Sequence, residues 1–313
     1  SPTYLAWKKL KANPLAVAGL SCIFVFLLVA ILGPILRPDS SPKANQQHLE
    51  IARKHPGFQQ KMLVLPALNA ARDQSFFNWW LYGKEASQRE IPIYDYKFEE
   101  DQITVERYTG SKPNEGEWLS FDKNLWLDAG FEFTESKIVQ ERTYWLGTDR
   151  YGRDLLSRLM AGTWISFTVG FIAILISLVI GISLGMLAAY YKGKLDEFVM
   201  WFINVVWSIP TLLLVIAITL ALGKGFWQVF VAVGLTMWVE VARVVRGQVM
   251  SVREMEFVEA GKSLGFKDFR IMLKHILPNI TGPIIVISAS NFAAAILIEA
   301  GLSFLGLGAQ PPQ

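Results

Sequence analysis

The sequence is poor in charged residues and in the side chains that build thiol and metal sites. Aspartate, glutamate, lysine and arginine make up 18% of its 313 residues, whereas soluble domains contain about 25%. The single cysteine, Cys22, excludes a disulfide within the chain, and its place in an apolar run predicts a buried, inert thiol. His48 and His55 lie seven residues apart with no third ligand at a suitable spacing, which favours solvated surface histidines over a metal site.

Motifs for catalysis and nucleotide binding are also missing. No H-E-x-x-H, G-x-S-x-G or paired-carboxylate arrangement occurs. The letters GKS at 261–263 end a phosphate-binding loop only in the pattern G-x-x-x-x-G-K-S, and Glu256 stands where the first glycine is needed. Its carboxylate would repel phosphate. The sequence therefore predicts no catalytic residue, no metal and no cofactor on this chain, and no nucleic-acid partner.

What the sequence does contain is long apolar runs. Hydrophobic residues make up 52% of the chain, and runs of about 20 apolar residues are typical of membrane-spanning helices. Five such runs argue against buried core helices, and the first lacks the cleavage site of a signal peptide. They predict an all-α polytopic membrane protein. The runs are 14–36, 164–191, 198–222, 226–245 and 282–308.

Basic residues predict how these spans are oriented. The N-terminal tail carries Lys8, Lys9 and Lys11 without an acid, and the loops at 192–197 and 246–281 are also rich in lysine and arginine. Because basic loops stay on the cytoplasmic side, the N-terminus is predicted to be cytoplasmic. The segment after the first span then lies outside.

The long segment between the first two spans predicts a small α+β insertion. The stretch 45–55 is predicted to be a short helix, and 102–110 alternates as a strand does before turn residues at 111–117. Aromatic residues offer material for a small core or for a membrane interface. They are Phe76, Phe77, Trp79, Trp80, Tyr82, Tyr94 and Tyr96.

The loop between the fourth and fifth spans is too long for a simple turn. "FVEAGKSL" and "KDFRIMLKHIL" both have helical spacing, with a break at Gly265 and a stop at Pro278 before the next span. Two short helices at an angle, with an apolar face and a basic flank, suit a lever that fills a groove on a cytoplasmic partner. The alternative is an amphipathic helix held at the membrane surface by anionic lipid.

Three stretches resemble a known family. The pattern E-A-x-x-x-x-G, followed by I-L-P, is similar to the cytoplasmic coupling motif of importer-type ABC transporter permeases. "LGTDRYGRDLLSRL" and "EAGLSFLGLGAQPP" resemble the flanks of the dipeptide/oligopeptide C-type permease subunits. The resemblance covers 145–313 strongly, 1–36 weakly and the insertion not at all; Gly261 replaces the usual second alanine, and His275 an aliphatic residue. The coupling residues that it implies are Glu259, Ala260, Gly261, Gly265, Phe266, His275 and Pro278.

The resemblance implies a type I ABC importer permease fold with six spans, of which five are visible, and we expect the sixth beyond this sequence. It divides the chain into the tail and first span (1–36), the insertion (37–144) and the permease core (145–313) with its coupling loop (250–279). Two ATP-binding subunits, which hold ATP and Mg, would drive a heterodimer of this chain and a second related permease. An extracytoplasmic substrate-binding protein would deliver di- or oligopeptides. The expected setting is the lipid of a bacterial inner membrane.

Polar residues within the spans are candidates for the translocation path, because such residues are costly in a membrane and so are often functional. Each has a structural alternative: Glu299 in a pairing with its helix or an external arginine, and Glu240 in an intrahelical pair with Arg243. Pro210 predicts a kink in the third span. The candidate path residues are Asn204, Ser208, Glu240, Asn291 and Glu299.

The spans do not distinguish a peptide importer from one for nickel chelates, glutathione or oligosaccharides. A different class, a non-transporting scaffold or sensor working through its external domain, also stays open. The two-helix loop argues against it, because a scaffold has no need of a lever.

Overall fold

A computed structural model describes residues 2–67, 88–110, 113–223 and 225–308. The chain divides into two units, Ser1–Trp164 and Ile165–Gln313, and each is described by itself. The predicted aromatic group at 76–82 lies outside the described residues.

The first unit begins with two helices, α1 (Pro2–Ala12) and the apolar α2 (Pro14–Leu36). The side-chain oxygen of Asn13 accepts hydrogen bonds from two backbone N–H groups in the first turn of α2, at 3.1 and 3.3 Å, and so caps that helix. The 23 residues of α2 are long enough to cross a bilayer. Few of its residues are buried against the rest of the described chain. Cys22 is therefore exposed on α2, and the prediction of a buried thiol is wrong.

The insertion is built on a five-stranded antiparallel sheet in the order β4-β3-β2-β1-β5. Two short helices, α3 (Asn124–Leu127) and α4 (Glu135–Ile138), join strands β4 and β5. This confirms that the insertion is a small α+β structure and that 102–110 contains a strand. The strands are β1 (Phe58–Pro66), β2 (Gln88–Phe98), β3 (Gln102–Arg107), β4 (Trp118–Asp122) and β5 (Val139–Tyr144).

The core of the insertion follows from the alternation of apolar residues along these strands. Leu63, Ile93 and Ile103 are fully buried, because every second side chain of a strand points to the same face. Trp126 of α3 covers that face, and its indole Nε1 donates a hydrogen bond to the carbonyl of Val64 at 2.8 Å. One contact thus joins helix to sheet and satisfies a buried donor.

The helix predicted over 45–55 is wrong, because only one 3₁₀ turn, Leu49–Ile51, forms there. Arg53 adopts a positive φ of 55°, which ends regular winding. The backbone groups bond to Thr148 instead of to each other: its hydroxyl donates to the carbonyl of Ile51 at 2.5 Å and accepts from the N–H of Lys54 at 2.8 Å. Tertiary hydrogen bonds therefore replace the helical ones in this segment.

His48 is buried in the insertion, so the prediction that it lies on the surface is wrong. His55 is exposed, as predicted. Burial lowers the pKa of the His48 imidazole, although the surrounding carboxylates raise it. Near and below pH 6.5, the usual pKa of histidine, this imidazole is then protonated more fully in the unfolded chain than in the folded one. The free energy of unfolding should therefore fall as the pH drops through about 6.5. The charged groups near the ring are Asp39, Glu50, Glu90 and Arg142.

We expect the protein to melt at a lower temperature at pH 5.5 than at pH 7.5, with His48 as a main cause. His48→Gln should flatten this dependence, and His55→Gln should retain it. Calorimetry of the purified protein would measure both. An unchanged slope in His48→Gln would assign the effect to other groups.

The second unit is helical. Four helices of the described chain are long and apolar enough to cross a membrane, and a bent pair makes five. The predicted single helix over 198–222 is broken between α6 (Gly193–Trp207) and α7 (Thr211–Leu222), which meet at 91°. Pro210 has no N–H to donate and ends the winding there, so the predicted kink is a full break. The helices are α5 (Leu155–Tyr191), which begins in the first unit, α6, α7, α8 (Phe226–Val252) and α11 (Thr281–Phe304), with α9 (Glu256–Ser263) and α10 (Asp268–Ile271) in the loop before α11.

Helices α5 and α8 approach closely because glycines face the contact. A Cβ added at Gly181 would stand 2.6 Å from Val241 Cβ, and one at Gly185 would overlap the carbonyl oxygen of Ala242. Gly234 of α8 is equally confined. Small residues at such contacts let backbones pack tightly without a hydrophobic driving force between helices.

Helix α11 buries one stripe of its surface. Ile284, Asn291, Ala295, Glu299 and Leu302 are its buried residues, at the spacing of one helical face. Ala295 and Leu302 pack in the same core as Phe230 of α8. Two polar side chains, Asn291 and Glu299, therefore lie on the face that α11 turns inward.

Candidate functional site

The loop after α8 contains α9 (Glu256–Ser263), which ends in a defined turn at Gly265. Gly265 has φ +76°, its N–H donates to the carbonyl of Lys262 at 2.9 Å, and the N–H of Phe266 donates to that of Gly261 at 3.1 Å. This pair of bonds is the Schellman arrangement, which requires a left-handed residue at the position of Gly265. The predicted break at Gly265 is confirmed.

The second half of the loop does not stop at Pro278, and that prediction is wrong. Helix α10 (Asp268–Ile271) continues through a π turn, Met272–Ile276, and a 3₁₀ turn, Leu277–Ile280, into α11. A wider turn followed by a tighter one rearranges the hydrogen bonds around the missing N–H of Pro278. The candidate span therefore runs unbroken from Asp268 to Phe304.

The loop packs firmly on the ends of α5 and α8. Its buried side chains alternate at helical spacing and join a single core with Tyr190 of α5 and Val249 of α8. This packing explains why the loop has a fixed shape, since short helices gain most of their stability from an apolar face. The loop residues in this core are Val258, Ile271, Met272, Ile276 and Ile280.

Polar contacts fasten the same surfaces. The Tyr190 hydroxyl donates to Asp268 Oδ1 at 2.7 Å. Arg253 donates from Nη1 to the carbonyl of Ala189 at 3.2 Å and also to that of Tyr190. These two carbonyls belong to the last turns of α5, where helical carbonyls lack partners and cations are favourable. Nothing in the spacing of the sequence marked these residues as partners.

The outward side of the loop is apolar with basic neighbours. Leu264 and Phe269 are 72% and 69% exposed, which is unusual for large apolar side chains grouped on one loop. Lysines and arginines lie among these apolar residues, and we call the apolar and basic side chains together the loop face; the exposed carboxylates of Glu256, Glu259 and Asp268 lie on the same helices. The loop face consists of Phe257, Lys262, Leu264, Lys267, Phe269, Arg270, Leu273 and Lys274.

The predicted coupling residues take different places around this turn. Phe266 stacks on the ring of His275, with centroids 5.7 Å apart, and the Arg270 guanidinium lies 4.2 Å from the Phe266 centroid. Gly261 is buried, and a Cβ there would meet Phe266 at an ordinary 3.5 Å. The alanine usual at this position would therefore fit. Glu259, Ala260 and Pro278 are exposed. Some of the predicted coupling residues therefore shape the turn, and others lie on its surface.

The five candidate path residues do not share one surface. Asn204, Ser208 and Glu240 are exposed, whereas Asn291 and Glu299 are 2% and 7% exposed within α11. The structural alternative for Glu299 is observed within its own helix, since it accepts a hydrogen bond from the Ser303 hydroxyl at 2.7 Å. Within the part of the chain that the structure describes, the amide nitrogen of Asn291 has no hydrogen-bond partner.

Arg243 does not form the predicted intrahelical pair with Glu240. Its Nη2 donates to Asn204 Oδ1 of α6 at 2.8 Å, and its guanidinium carbon lies 3.3 Å from the centroid of a Trp207 ring. The ring and the amide hold the guanidinium toward α6. Sequence spacing alone favoured the neighbour on the same helix.

Comparison with known proteins bears on the region that contains the loop. Residues 181–313 match the family model described as "Binding-protein-dependent transport system inner membrane component". These residues, which include the loop face, are similar to that family. Residues 1–56 match a second model, the "N-terminal TM domain of oligopeptide transport permease C".

Curated relatives support the same assignment. The chain is 43% identical over 179 residues to the dipeptide transport system permease protein DppC of Bacillus subtilis (57% of this chain, 56% of the relative). It is 39% identical over 171 residues to the oligopeptide permease protein OppC of the same organism (55% and 56%). It is 40% identical over 182 residues to the glutathione permease protein GsiD of Pectobacterium atrosepticum (58% and 60%). The matched part thus spans somewhat more than half the length of each relative.

Among solved structures, the MetNI methionine ABC transporter in an inward-facing conformation matches at 20% identity. The match covers 48% of this chain and 76% of that one, with a TM-score of 0.43. The relatives are permease subunits, and this chain resembles them in its apolar spans. Within the described residues, no group of three or more histidine, cysteine, aspartate or glutamate side chains is placed to hold a metal ion.

Proposed function

We propose that this chain is a membrane-spanning subunit of an ATP-driven importer of di- or oligopeptides. The observation that carries the proposal is the loop face, an exposed apolar and basic surface on a rigid two-helix turn, within the residues that match the transport family. The fixed turn at Gly265 and the core beneath it suit a surface that receives force from a partner. Free lipid binding would not require this rigidity.

ATP hydrolysis belongs to two partner subunits, which carry ATP and Mg, and this chain contributes the coupling residues Glu259, Ala260, Gly261, Gly265, Phe266, His275 and Pro278. A second related permease completes the path, and an extracytoplasmic protein delivers substrate. The N-terminus and the loop are cytoplasmic, and the insertion (37–144) lies outside. Asn204, Ser208 and Glu240 face the path, and Asn291 and Glu299 position α11.

Peptides are favoured because relatives of about 40% identity are named for dipeptide and oligopeptide transport. Glutathione, itself a tripeptide, is the second candidate, since one similarly related protein is a glutathione permease. The test is to purify the tagged chain with its genomic neighbours and to measure ATP-dependent uptake of radiolabelled trialanine and glutathione into proteoliposomes. Uptake of neither would reject both substrates.

We expect Phe269→Glu to release the ATP-binding subunits while the chain stays in the membrane. The substitution places a carboxylate at the most exposed aromatic position of the loop face, where it opposes apolar contact, and the Phe269 side chain is not among those of the buried loop core. Affinity purification of the tagged chain should then recover less than a tenth of the wild-type amount of ATPase. Trp118→Glu, at an exposed aromatic of strand β4, is the matched control. Equal recovery from both variants would exclude the loop face as the docking surface.

A further inference from the structure

Two opposite charges stand side by side on α8 without pairing. Glu240 and Arg243 are three residues apart, a spacing that makes side chains neighbours on a helix, with Cβ atoms about 5–6 Å apart. Glu240 is exposed and makes no hydrogen bond or ion pair within the described residues. Both lie within a candidate membrane span, where a charge without a counter-charge is costly and so points to function.

The structure keeps these charges apart by holding Arg243. Asn204 accepts one hydrogen bond at 2.8 Å, and Trp207 stacks against the flat face of the guanidinium. Both contacts are attractive, and neither neutralises the charge. A carboxylate would bind the same fork more strongly than an amide does. Arg243 is therefore positioned for a carboxylate that this part of the chain does not supply.

The donors that remain are those of one edge of the guanidinium. Nε is buried without a partner, Nη2 is shared with Asn204, and Nη1 bonds to no acceptor in the described part of the chain. A carboxylate with two oxygens matches the Nη edge in the bidentate geometry typical of arginine. Lysine could supply the charge but not this fork.

We propose that Arg243 binds the terminal carboxylate of a peptide in transit, with Asn204 and Trp207 as positioning residues and Glu240 facing positive charge on the same peptide. This inference rests on the proposed function. A carboxylate on a second permease subunit is the other source of the same chemistry. It would neutralise Arg243 alone and leave Glu240 uncompensated, whereas a zwitterionic peptide complements both charges.

The first experiment avoids the binding protein. In a Cys22→Ala background, Ser208→Cys places a thiol on the exposed residue directly after Trp207. The purified complex is treated with a small polar thiol reagent, with trialanine or trialanine amide present at 10 mM (about the range in which weak sites fill). Trialanine should slow labelling at least threefold and the amide should not. Arg243→Gln should remove the protection.

The second experiment measures uptake of both peptides by the complete complex. Arg243→Gln should lower the uptake of trialanine at least tenfold and change that of the amide less than twofold. Arg243→Lys should take up trialanine at a rate between those of the wild type and Arg243→Gln. The control is Arg150→Gln, which removes an exposed arginine stacked on Tyr151 outside the spans, and it should behave as wild type. Equal effects on the two peptides would overturn the inference.

The remaining outcomes of the two experiments also test the inference. Labelling that neither peptide changes would overturn the inference, and so would loss of the second permease from purified Arg243→Gln, since that places Arg243 at a subunit contact. If the wild-type complex imports neither peptide, the proposed function fails. The labelling experiment then still shows whether Arg243 recognises a free carboxylate.

Discussion

Gly265→Val should reduce peptide uptake by more than tenfold while the chain remains inserted in the membrane. Gly265 has φ +76° and no neighbouring atom within 4 Å of an added Cβ, so the cost of the substitution is one of backbone conformation and not of a clash. A β-branched residue in the left-handed region is strained by on the order of 1–3 kcal/mol. Relaxing that strain breaks the hydrogen bonds from Gly265 and Phe266 that fix the turn.

Uptake and ATPase activity should therefore separate. The two halves of the loop would keep their sequences but lose their fixed angle, so ATP hydrolysis by the proposed ATP-binding subunits would no longer be stimulated by substrate. Two controls isolate the cause. Gly261→Ala adds a methyl group at ordinary contact distance and should leave uptake within twofold of wild type. Gly265→Asn, which tolerates positive φ, should retain more uptake than valine, and equal loss in both would refute the backbone explanation.

Gly185→Leu should prevent accumulation of the folded chain. Any Cβ at this position overlaps the carbonyl oxygen of Ala242, which is rigid backbone, so α5 and α8 must separate. Overpacking costs about 1–3 kcal/mol when side chains can adjust, and backbone cannot adjust without moving a whole helix. We expect little folded protein in the membrane fraction and a melting temperature at least 10 °C lower, roughly what a loss of several kcal/mol gives.

Gly247→Leu is the matched control for that substitution. Gly247 lies in the same helix pair, on α8, but an added Cβ meets nothing within 4 Å. Because leucine favours the helix more than glycine by about 0.5–1 kcal/mol, this variant should accumulate normally. If it fails like Gly185→Leu, insertion of a larger side chain into the span, and not the contact between α5 and α8, is the limiting factor.

The sequence predicted those features that depend on local chemistry. Apolar runs located the spans because the bilayer sets their length, and Gly265 located the turn because few other residues adopt a positive φ. The first short helix of the loop and the small α+β insertion also followed from periodicity and turn residues. Each of these signals lies within a few residues of the feature that it predicts.

The features that failed depend on contacts between distant residues. The helix expected over 45–55 was replaced by bonds to Thr148, about 95 residues away. The spacing favoured a pair between Glu240 and Arg243, but Arg243 contacts Asn204 and Trp207 of another helix instead. Pro278 was expected to end a helix, yet a π turn and a 3₁₀ turn carry the winding past it. Tertiary partners decide such positions, and local spacing does not contain them.

The unbroken winding from Asp268 to Phe304 has a mechanical consequence. A helical rod of 37 residues is about 55 Å long at 1.5 Å per residue, so a torque applied at its loop end reaches the far end unless something along it yields. The π turn, Met272–Ile276, interrupts the regular hydrogen bonding of this rod. Stiffness of those five residues would then determine how much rotation the buried stripe bearing Asn291 and Glu299 receives.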